Sequence, residues 1–497
     1  MAKIVSFAKD SAVYGGSTIL VRMMSWLMNM LFTRALLPSE YGLMTNLYAY
    51  IAVLSVVLTF GMETGLFRFL NHGGKYDSST VYSTALAIVG LLTAVIVAVF
   101  LFFLDALRPV MFAADVPGNC IRMAIIILGI DAFSAVPFAL IRSKKRALRF
   151  ATLKILNVSV YAVSCIFLLV ICPCIDSCWP GSISWFWDSQ SGLTYVFVSN
   201  LAGTIVQTVG LLPELRVRFR FDGILAGKMV SYCFPLVITG LAGISSQAVD
   251  KLIFPAVYPD GGWEGELGLY SGCIKIALVM MIFTQAFRYA YEPFVFEESR
   301  GRDPGKSYAR VMKYFIIAGW FIFLFVTLYI DIFKHFAGDR YWSALGAVAP
   351  VMVGELLFGV YFNLSVWYKL SDRTWWGTVF SVIGFAVTVT LNVIYIPEFG
   401  YMACAYASLL SNLVVMMLSY FIGRRHYRIG YDLVSAGIYT VMALLFYGLW
   451  LMIPAGEVFV RLSVGTLILA VYVFVVLRRD IPAVAIIRNY LHRKNIK

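Results

Sequence analysis

An arginine inside an apolar stretch is the first residue of this sequence that could do chemistry. Arg22 lies within residues 11–33, which are otherwise rich in Leu and Met. A charge at the centre of a bilayer costs roughly 2.5–3.5 kcal/mol, so it indicates an interior cavity or a partner. Helical spacing places Arg22 on one polar stripe with Thr18, Ser25, Asn29 and Thr33. A guanidinium there suits an anion, phosphate in particular. A seam of hydrogen bonds between helices is the alternative.

Other polar side chains interrupt apolar stretches in both halves of the chain. Asp131 and Glu355 either line a cavity or neutralise a cation on a neighbouring helix. The excess of Arg and Lys among these residues predicts a cationic cavity that attracts anions. The residues predicted to line it are Arg22, Asn29, Arg68, Asp131, Lys275, Gln285, Arg288 and Glu355.

No pattern of residues predicts catalysis, a metal or a cofactor. The sequence has no catalytic triad, HExxH or P-loop pattern, and its four His all fall in predicted loops. We therefore predict a protein that is not an enzyme and does not hydrolyse ATP itself. Cys172, Cys174 and Cys178 share one predicted outer loop, where two of them could pair or all three could stay free. A zinc site is not predicted, because no fourth ligand is near.

The composition indicates the elements that must position these residues. Of the 497 residues, 61% are hydrophobic and 13% charged, and the mean hydropathy is +0.82. A water-soluble fold could not cover so much apolar surface, whereas lipid can surround it. The apolar segments are too long, and alternate too little, for a membrane β-barrel. An all-α integral membrane protein is predicted.

Hydropathy predicts fourteen membrane-spanning helices joined by short loops. They are residues 11–33, 42–62, 82–104, 119–141, 155–171, 194–213, 229–254, 268–292, 312–333, 342–368, 375–396, 401–422, 432–453 and 458–477.

The distribution of basic residues predicts the orientation of these spans. With the N-terminus in the cytoplasm, alternate loops place 31 of the 40 Lys and Arg inside and seven outside. Such a bias is typical of cytoplasmic loops. The net charge of +13 is spread over these loops, so nucleic-acid binding is not predicted. Both termini are predicted in the cytoplasm, and the basic tail 481–497 is predicted as an amphipathic helix on the inner leaflet.

Polar residues at helical spacing recur in the first two spans of each half, which are spans 1, 2, 7 and 8. This recurrence predicts two six-helix lobes around the central cationic cavity. The predicted parts are an N-terminal lobe at residues 1–220, a C-terminal lobe at 221–425, two additional helices at 426–480 and the tail.

Several motifs follow one another in a recognisable order. Thr33–Gly42 resembles an Arg-x-Leu-Gly-Pro-x-x-Tyr-Gly stretch, with Leu37 in place of the usual Gly. Further motifs are Phe60–Phe69, Val136–Arg142, Asp250, Gly268–Tyr270, Gln285–Pro293, Leu391–Pro397, Gly400 and Ala403–Ala407. Over nearly the whole chain they resemble the MOP exporter superfamily, in particular its polysaccharide transporter branch of Wzx-type flippases for lipid-linked oligosaccharides such as O-antigen units.

The resemblance implies a function. Undecaprenyl-diphosphate-linked oligosaccharide would cross the bacterial cytoplasmic membrane by alternating access, for O-antigen, capsule or exopolysaccharide synthesis. Its head group would pass the cavity cations while its lipid tail stays in the bilayer. Membrane lipids are further partners, a polysaccharide polymerase and chain-length machinery are possible ones, and a monomer is expected to function. Some superfamily members use a cation gradient, so Na⁺ or H⁺ coupling through Asp250, Asn392 and Asn412 is a further expectation.

Two alternatives share the fold. A lipid II flippase of peptidoglycan synthesis also has fourteen spans, although the motifs fit the polysaccharide branch better. A cation-coupled drug antiporter of the MATE branch normally has twelve spans and an acidic cavity, which fits Arg22 and Lys275 less well.

Overall fold

A computed structural model describes residues 20–21, 23–70, 76–111, 116–259, 261–299, 303–371, 373, 375–454 and 456–480. Within these ranges the protein is 86% helical and contains no strand, which confirms the all-α prediction. The predicted tail 481–497 and Arg22 lie outside the described residues.

The chain divides into two units. The first comprises the described residues up to Gly272 together with Val389–Gly400, and the second comprises Cys273–Thr388 with the described residues from Tyr401 onward. The predicted lobe boundaries at 220 and 425 stay predictions, because residues that pack together in one conformation need not move together.

Eleven helices begin in the first unit. α1 includes residues 20–21 and 23–35, and a short π-helical turn at Phe167–Ile171 joins α7 to α8. The others are α2 Pro38–Thr59, α3 Met62–Leu70, α4 Ser78–Phe102, α5 Leu104–Met111, α6 Gly118–Ser143, α7 Ala147–Ile166, α8 Cys172–Cys178, α9 Gly192–Leu215, α10 Gly223–Val257 and α11 Trp263–Cys273.

The second unit begins at the end of α11. Two 3₁₀ segments, Lys334–Phe336 and Asp339–Ala347, precede α15, and the last residues of α17 belong to the first unit. The helices are α12 Leu278–Glu298, α13 Pro304–Leu328, α14 Ile330–Phe333, α15 Val348–Leu364, α16 Val366–Leu370, α17 Trp375–Phe399, α18 Tyr401–His426, α19 Leu433–Leu451 and α20 Val458–Arg479.

The helices reproduce the predicted spans. Among the described residues, twelve helical stretches are long and apolar enough to cross a membrane, and the interrupted pair α11 and α12 would make thirteen. Each coincides with one of the predicted spans after the first, of which residues 11–19 and 22 lie outside the described residues. The predicted span at 342–368 begins as a 3₁₀ segment, so its regular α-helix starts only at Val348.

Local backbone geometry sets the direction of the helices that carry the candidate residues. Phe60 and Gly61 both have positive φ, at 49° and 61°, which ends α2 and redirects the chain into α3. Residues 274–277 interrupt the helix between α11 and α12, and the amides of Ile276, Ala277 and Leu278 donate to the carbonyls three residues earlier. Lys275 therefore lies within a break in a span, and Arg68 lies in the last turn of the helix that follows the turn at Phe60 and Gly61.

Charged and polar contacts attach α19 and α20 to α13 within the second unit. Lys313 pairs with both Asp432 and Asp480, and the Tyr472 hydroxyl donates to the Ile317 carbonyl at 2.8 Å. Asp432 also caps α19, since its Oδ1 accepts the Ser435 amide at 3.0 Å. Hydrogen bonding with Ser435 and the proximity of Lys313 lower the pKa of Asp432 to about 2. The two helices predicted beyond the second lobe are thus held by specific bonds.

Candidate functional site

Asn29 on α1 is buried in the first unit, with 5% of its surface exposed. Its side-chain oxygen accepts a hydrogen bond from the Tyr41 hydroxyl of α2, and its carbonyl accepts from Thr33 at 2.9 Å. In this conformation Asn29 therefore takes part in a bond between helices, as the seam alternative predicts. Its predicted contact with substrate stays a prediction.

Arg68 on α3 is exposed, and an aromatic ring holds its guanidinium. The guanidinium carbon lies 3.9 Å from the centroid of the Tyr232 ring on α10. Such a cation–π contact fixes the side chain without neutralising its charge. Arg68 is therefore oriented and still cationic, as a phosphate-binding residue requires.

Asp131, midway along α6, has an exposed side chain and interacts electrostatically with Lys154 of α7. Lys154 Nζ lies 4.2 Å from the Phe138 ring centroid, and Lys154 also interacts with Glu63 and Arg142. Those two form an ion pair at 2.5 Å. Glu63, Asp131, Arg142 and Lys154 therefore interact across α3, α6 and α7. Asp131 thus has Lys154 as a basic neighbour.

Arg288 on α12 belongs to a group that we call the Phe362 cluster: Arg288, Glu292, Phe362 and Lys369. The Arg288 guanidinium carbon and Lys369 Nζ lie 4.7 and 4.2 Å from the Phe362 ring centroid. Glu292 Oε1 lies 3.8 Å from Arg288 Nε and 3.2 Å from Lys369 Nζ. One carboxylate thus faces two cations that share one ring.

Phe362 is the buried ring against which the charged side chains of this cluster pack. Only 7% of it is exposed, and it packs in a buried group with Tyr291, Val295, Tyr308 and Val366. The Tyr308 hydroxyl donates to the Val295 carbonyl at 2.8 Å, which ties α13 to α12 behind the ring. The cations therefore rest on a surface that packing holds in place, whereas the Arg288 and Glu292 side chains are 51% and 43% exposed.

The remaining predicted cavity residues of the second unit are half-buried. Lys275 lies in the break between α11 and α12, and Gln285 lies three residues before Arg288 on α12. Glu355 on α15 has no hydrogen bond or ion pair to the part of the chain that is described. The predicted substrate contacts of Arg288, Lys275, Gln285 and Glu355 stay predictions.

The three residues predicted to couple an ion lie on α10, α17 and α18, and their coupling role stays a prediction. Asp250 pairs with its neighbour Lys251, whose Nζ lies 3.2 Å from Oδ1. Asn392 is fully buried, and neither amide atom has a protein partner within the described ranges. Asn412 is half-buried on α18 in the other unit. No group of three or more His, Cys, Asp or Glu suited to a metal occurs among the described residues.

Lys154, Glu292 and Lys369 are not among the residues that the sequence predicts for the site. Lys154 directly precedes the predicted span 155–171, but α7 begins at Ala147, so Lys154 is inside the helix. Its apolar stem can lie along neighbouring side chains, which lets a helix accommodate a Lys near its end. Glu292 could have been found from its i+4 spacing to Arg288, whereas no local signal connects Lys369 to either.

Comparison with known proteins identifies the relatives of this chain. A family model described as "Polysaccharide biosynthesis protein" matches residues 7–297. A search of curated protein sequences gives no match.

Solved structures share the fold at low identity. One is titled "Lipid II flippase MurJ, inward closed conformation"; it is 11% identical with a TM-score of 0.68, and the match covers 94% of this chain and 98% of that one. Another is an inward-facing multidrug resistance MATE family transporter of the MOP superfamily, at 13% identity and a TM-score of 0.63, covering 82% and 94%. Its outward-facing counterpart is 14% identical with a TM-score of 0.56 and covers 85% and 94%.

Proposed function

Because the chain belongs to the polysaccharide biosynthesis protein family and has a MOP-type membrane fold, we propose that it is a flippase for undecaprenyl-diphosphate-linked oligosaccharides. It would move the glycan and its diphosphate across the bacterial cytoplasmic membrane by alternating access, for O-antigen, capsule or exopolysaccharide synthesis. No covalent step is required, since the barrier is the transfer of a polar head group through hydrocarbon.

The Phe362 cluster is the observation that carries this proposal. Two cations and one carboxylate leave an excess positive charge near the ends of two predicted spans. A polyvalent anion would neutralise that excess charge. Arg288 can donate two parallel hydrogen bonds to phosphate oxygens, and Lys369 adds a compact charge beside it. A diphosphate suits such a pair better than a neutral or cationic drug does.

The first unit offers a second set of cations. Arg68, held on Tyr232, and the Arg142–Lys154 pair would give the head group further contacts as it moves. Arg22, Asn29, Asp131, Lys275, Gln285 and Glu355 are proposed to line the same path. Coupling to Na⁺ or H⁺, cytoplasmic termini, function as a monomer, and a polysaccharide polymerase with chain-length machinery as partners belong to this proposal as well.

A lipid II flippase is the second candidate. The flippase titled as such has the same fold over 94% of this chain, and a cationic clamp would bind either diphosphate lipid. The glycan therefore decides between the two functions, and the test below uses both substrates.

The proposal is tested with purified protein in liposomes that contain, on one leaflet, either a fluorescent undecaprenyl-diphosphate oligosaccharide or fluorescent lipid II. Translocation is measured as the labelled glycan that becomes accessible on the other side. We expect Arg288→Ala and Lys369→Ala each to slow translocation at least about tenfold, because each removes a hydrogen bond between charged groups. Lys306→Ala is the matched control, since Lys306 is 82% exposed and pairs only with Asp303 among the described residues.

Three results would contradict the proposal. The first is wild-type protein that moves neither this lipid nor lipid II. The second is variants at positions 288 and 369 that translocate as fast as the Lys306 control. The third is translocation of lipid II alone, which would favour the second candidate.

A further inference from the structure

Glu292 occupies the place in the Phe362 cluster that an anionic ligand would take. Its Oε1 faces both Arg288 Nε and Lys369 Nζ, so these two nitrogens lie no more than about 7 Å apart with one oxygen between them. The two cations repel each other electrostatically. The carboxylate therefore offsets a repulsion that would otherwise drive the Arg288 and Lys369 side chains apart.

The exposure of the three groups shows which of them can leave. Lys369 is 24% exposed and rests on the buried Phe362 ring, so its position is the most constrained. Glu292 is 43% exposed, and its contact with Arg288, at 3.8 Å, is long for an ion pair. The hydrogen bond from Lys369 Nζ, at 3.2 Å, is the shorter contact of Glu292, but an ion pair between partly solvated side chains contributes little net stability. Another anion can therefore displace it at small cost.

We propose that Glu292 is a built-in counter-anion, which holds Arg288 and Lys369 ready on the Phe362 ring and is displaced by the diphosphate of the substrate. This inference rests on the proposed function and assigns Glu292 the role of setting affinity. In the empty protein, Glu292 keeps the cations at a spacing that suits phosphate oxygens. When the substrate binds, phosphate oxygens replace the carboxylate, and Glu292 rotates toward solvent.

Competition of this kind also favours release. A transporter must let its cargo go, and two uncompensated cations would hold a diphosphate too tightly. The returning carboxylate competes with the substrate from within the protein, so the affinity of the site falls without loss of the cations. Thermodynamic linkage makes this effect reciprocal. The factor by which bound substrate weakens the contacts of Glu292 with the two cations equals the factor by which Glu292 weakens substrate binding.

The experiment measures binding of undecaprenyl diphosphate, with undecaprenyl monophosphate as a second probe, to the full-length protein in detergent. We expect Glu292→Gln to lower the Kd for the diphosphate by about fivefold or more, the low end of typical coupling between linked sites. The gain should be smaller for the monophosphate, which carries less charge, and should shrink as salt is raised. Liposome assays of Glu292→Gln should show no faster translocation, because release becomes slower.

Glu297→Gln is the matched control. Glu297 lies five residues further along α12, is exposed, and changes net charge identically when replaced. Its replacement should leave both Kd values unchanged. A purely structural role for Glu292, tying α12 to α16, predicts instead that Glu292→Gln lowers the unfolding temperature and binds the diphosphate no more tightly.

The outcomes separate the two proposals. In one outcome the wild-type protein binds the diphosphate, Arg288→Ala weakens that binding, and the Kd of Glu292→Gln is unchanged or higher. This outcome overturns the counter-anion role and leaves the flippase proposal standing. Wild-type protein that does not bind the diphosphate overturns both.

Discussion

Arg461 on α20 forms the most enclosed ion pair described in the second unit. Its Nη1 lies 3.0 Å from Asp331 Oδ2, and the two side chains are 10% and 6% exposed. The guanidinium also lies 3.9 Å from the Trp450 ring centroid of α19, and Lys334 gives Asp331 a second partner at 3.1 Å. Because both charges are withdrawn from solvent, removing Arg461 leaves the buried Asp331 carboxylate with Lys334 as its remaining ion-pair partner among the described residues.

We therefore expect Arg461→Met to destabilise the protein by about 3 kcal/mol, at the low end for a broken buried pair because Lys334 remains beside Asp331. The loss of stability is measured as thermal unfolding in detergent, which size-exclusion chromatography monitors. Arg340→Met is the control, since Arg340 is exposed in the neighbouring 3₁₀ segment. Equal unfolding temperatures for the two variants would show that the pair contributes nothing.

At the scale of elements, the clearest contact is the crossing of α2 and α11 within the first unit. A Cβ added to Gly42 would lie 1.8 Å from the Glu264 carbonyl oxygen, and one added to Gly268 would lie 1.7 Å from that of Pro38. The two backbones touch, with no room for a side chain. In lipid, helices associate through such close packing, because hydrophobic burial drives them together only weakly. The close packing of α2 against α11 therefore explains why the two motifs have glycine at positions 42 and 268.

Gly42→Ala and Gly268→Ala should each lower the yield of folded protein and its unfolding temperature, because the obstructing atoms are backbone and cannot rotate away. Gly437→Ala on α19 is the matched control: nothing lies within 4 Å of its added Cβ, so it should stabilise the helix by about 0.5–1 kcal/mol. The measurement is fluorescence-detected size-exclusion chromatography after heating. Wild-type behaviour of Gly42→Ala would mean that α2 and α11 can separate without loss of folding.

At the scale of the whole molecule, the positions of the spans were the most predictable property. A run of apolar residues long enough to cross lipid is a local feature, so thirteen of the predicted spans match helices that the structure describes. Helix ends were predicted less well where charge lies inside the helix. Arg149 and Lys154, for example, precede the predicted span 155–171 but belong to α7. Within the helix, Arg149 pairs with Glu214 of α9 at 2.7 Å.

The orientation of these spans is a separate prediction from the distribution of basic residues. A green fluorescent protein fused after Lys497 should fluoresce, because the C-terminus is predicted in the cytoplasm. Alkaline phosphatase inserted near Gly181, in a predicted outer loop, should be active. The same insertion near Lys145 is the control and should be inactive. The opposite pattern of activities would reverse the orientation, and with it the proposed direction of transport.

The sequence by itself determined that this is a helical membrane protein and where its spans lie, since each property follows from a continuous stretch of chain. It placed Arg288 among the predicted cavity residues, a role that stays a prediction, and the i+4 spacing to Glu292 was visible in it. Only the tertiary structure brought Lys369 to the same ring, placed Lys154 near Asp131 and set Gly42 against Gly268. Those contacts join residues remote in sequence, so they depend on how helices pack, which no single stretch specifies.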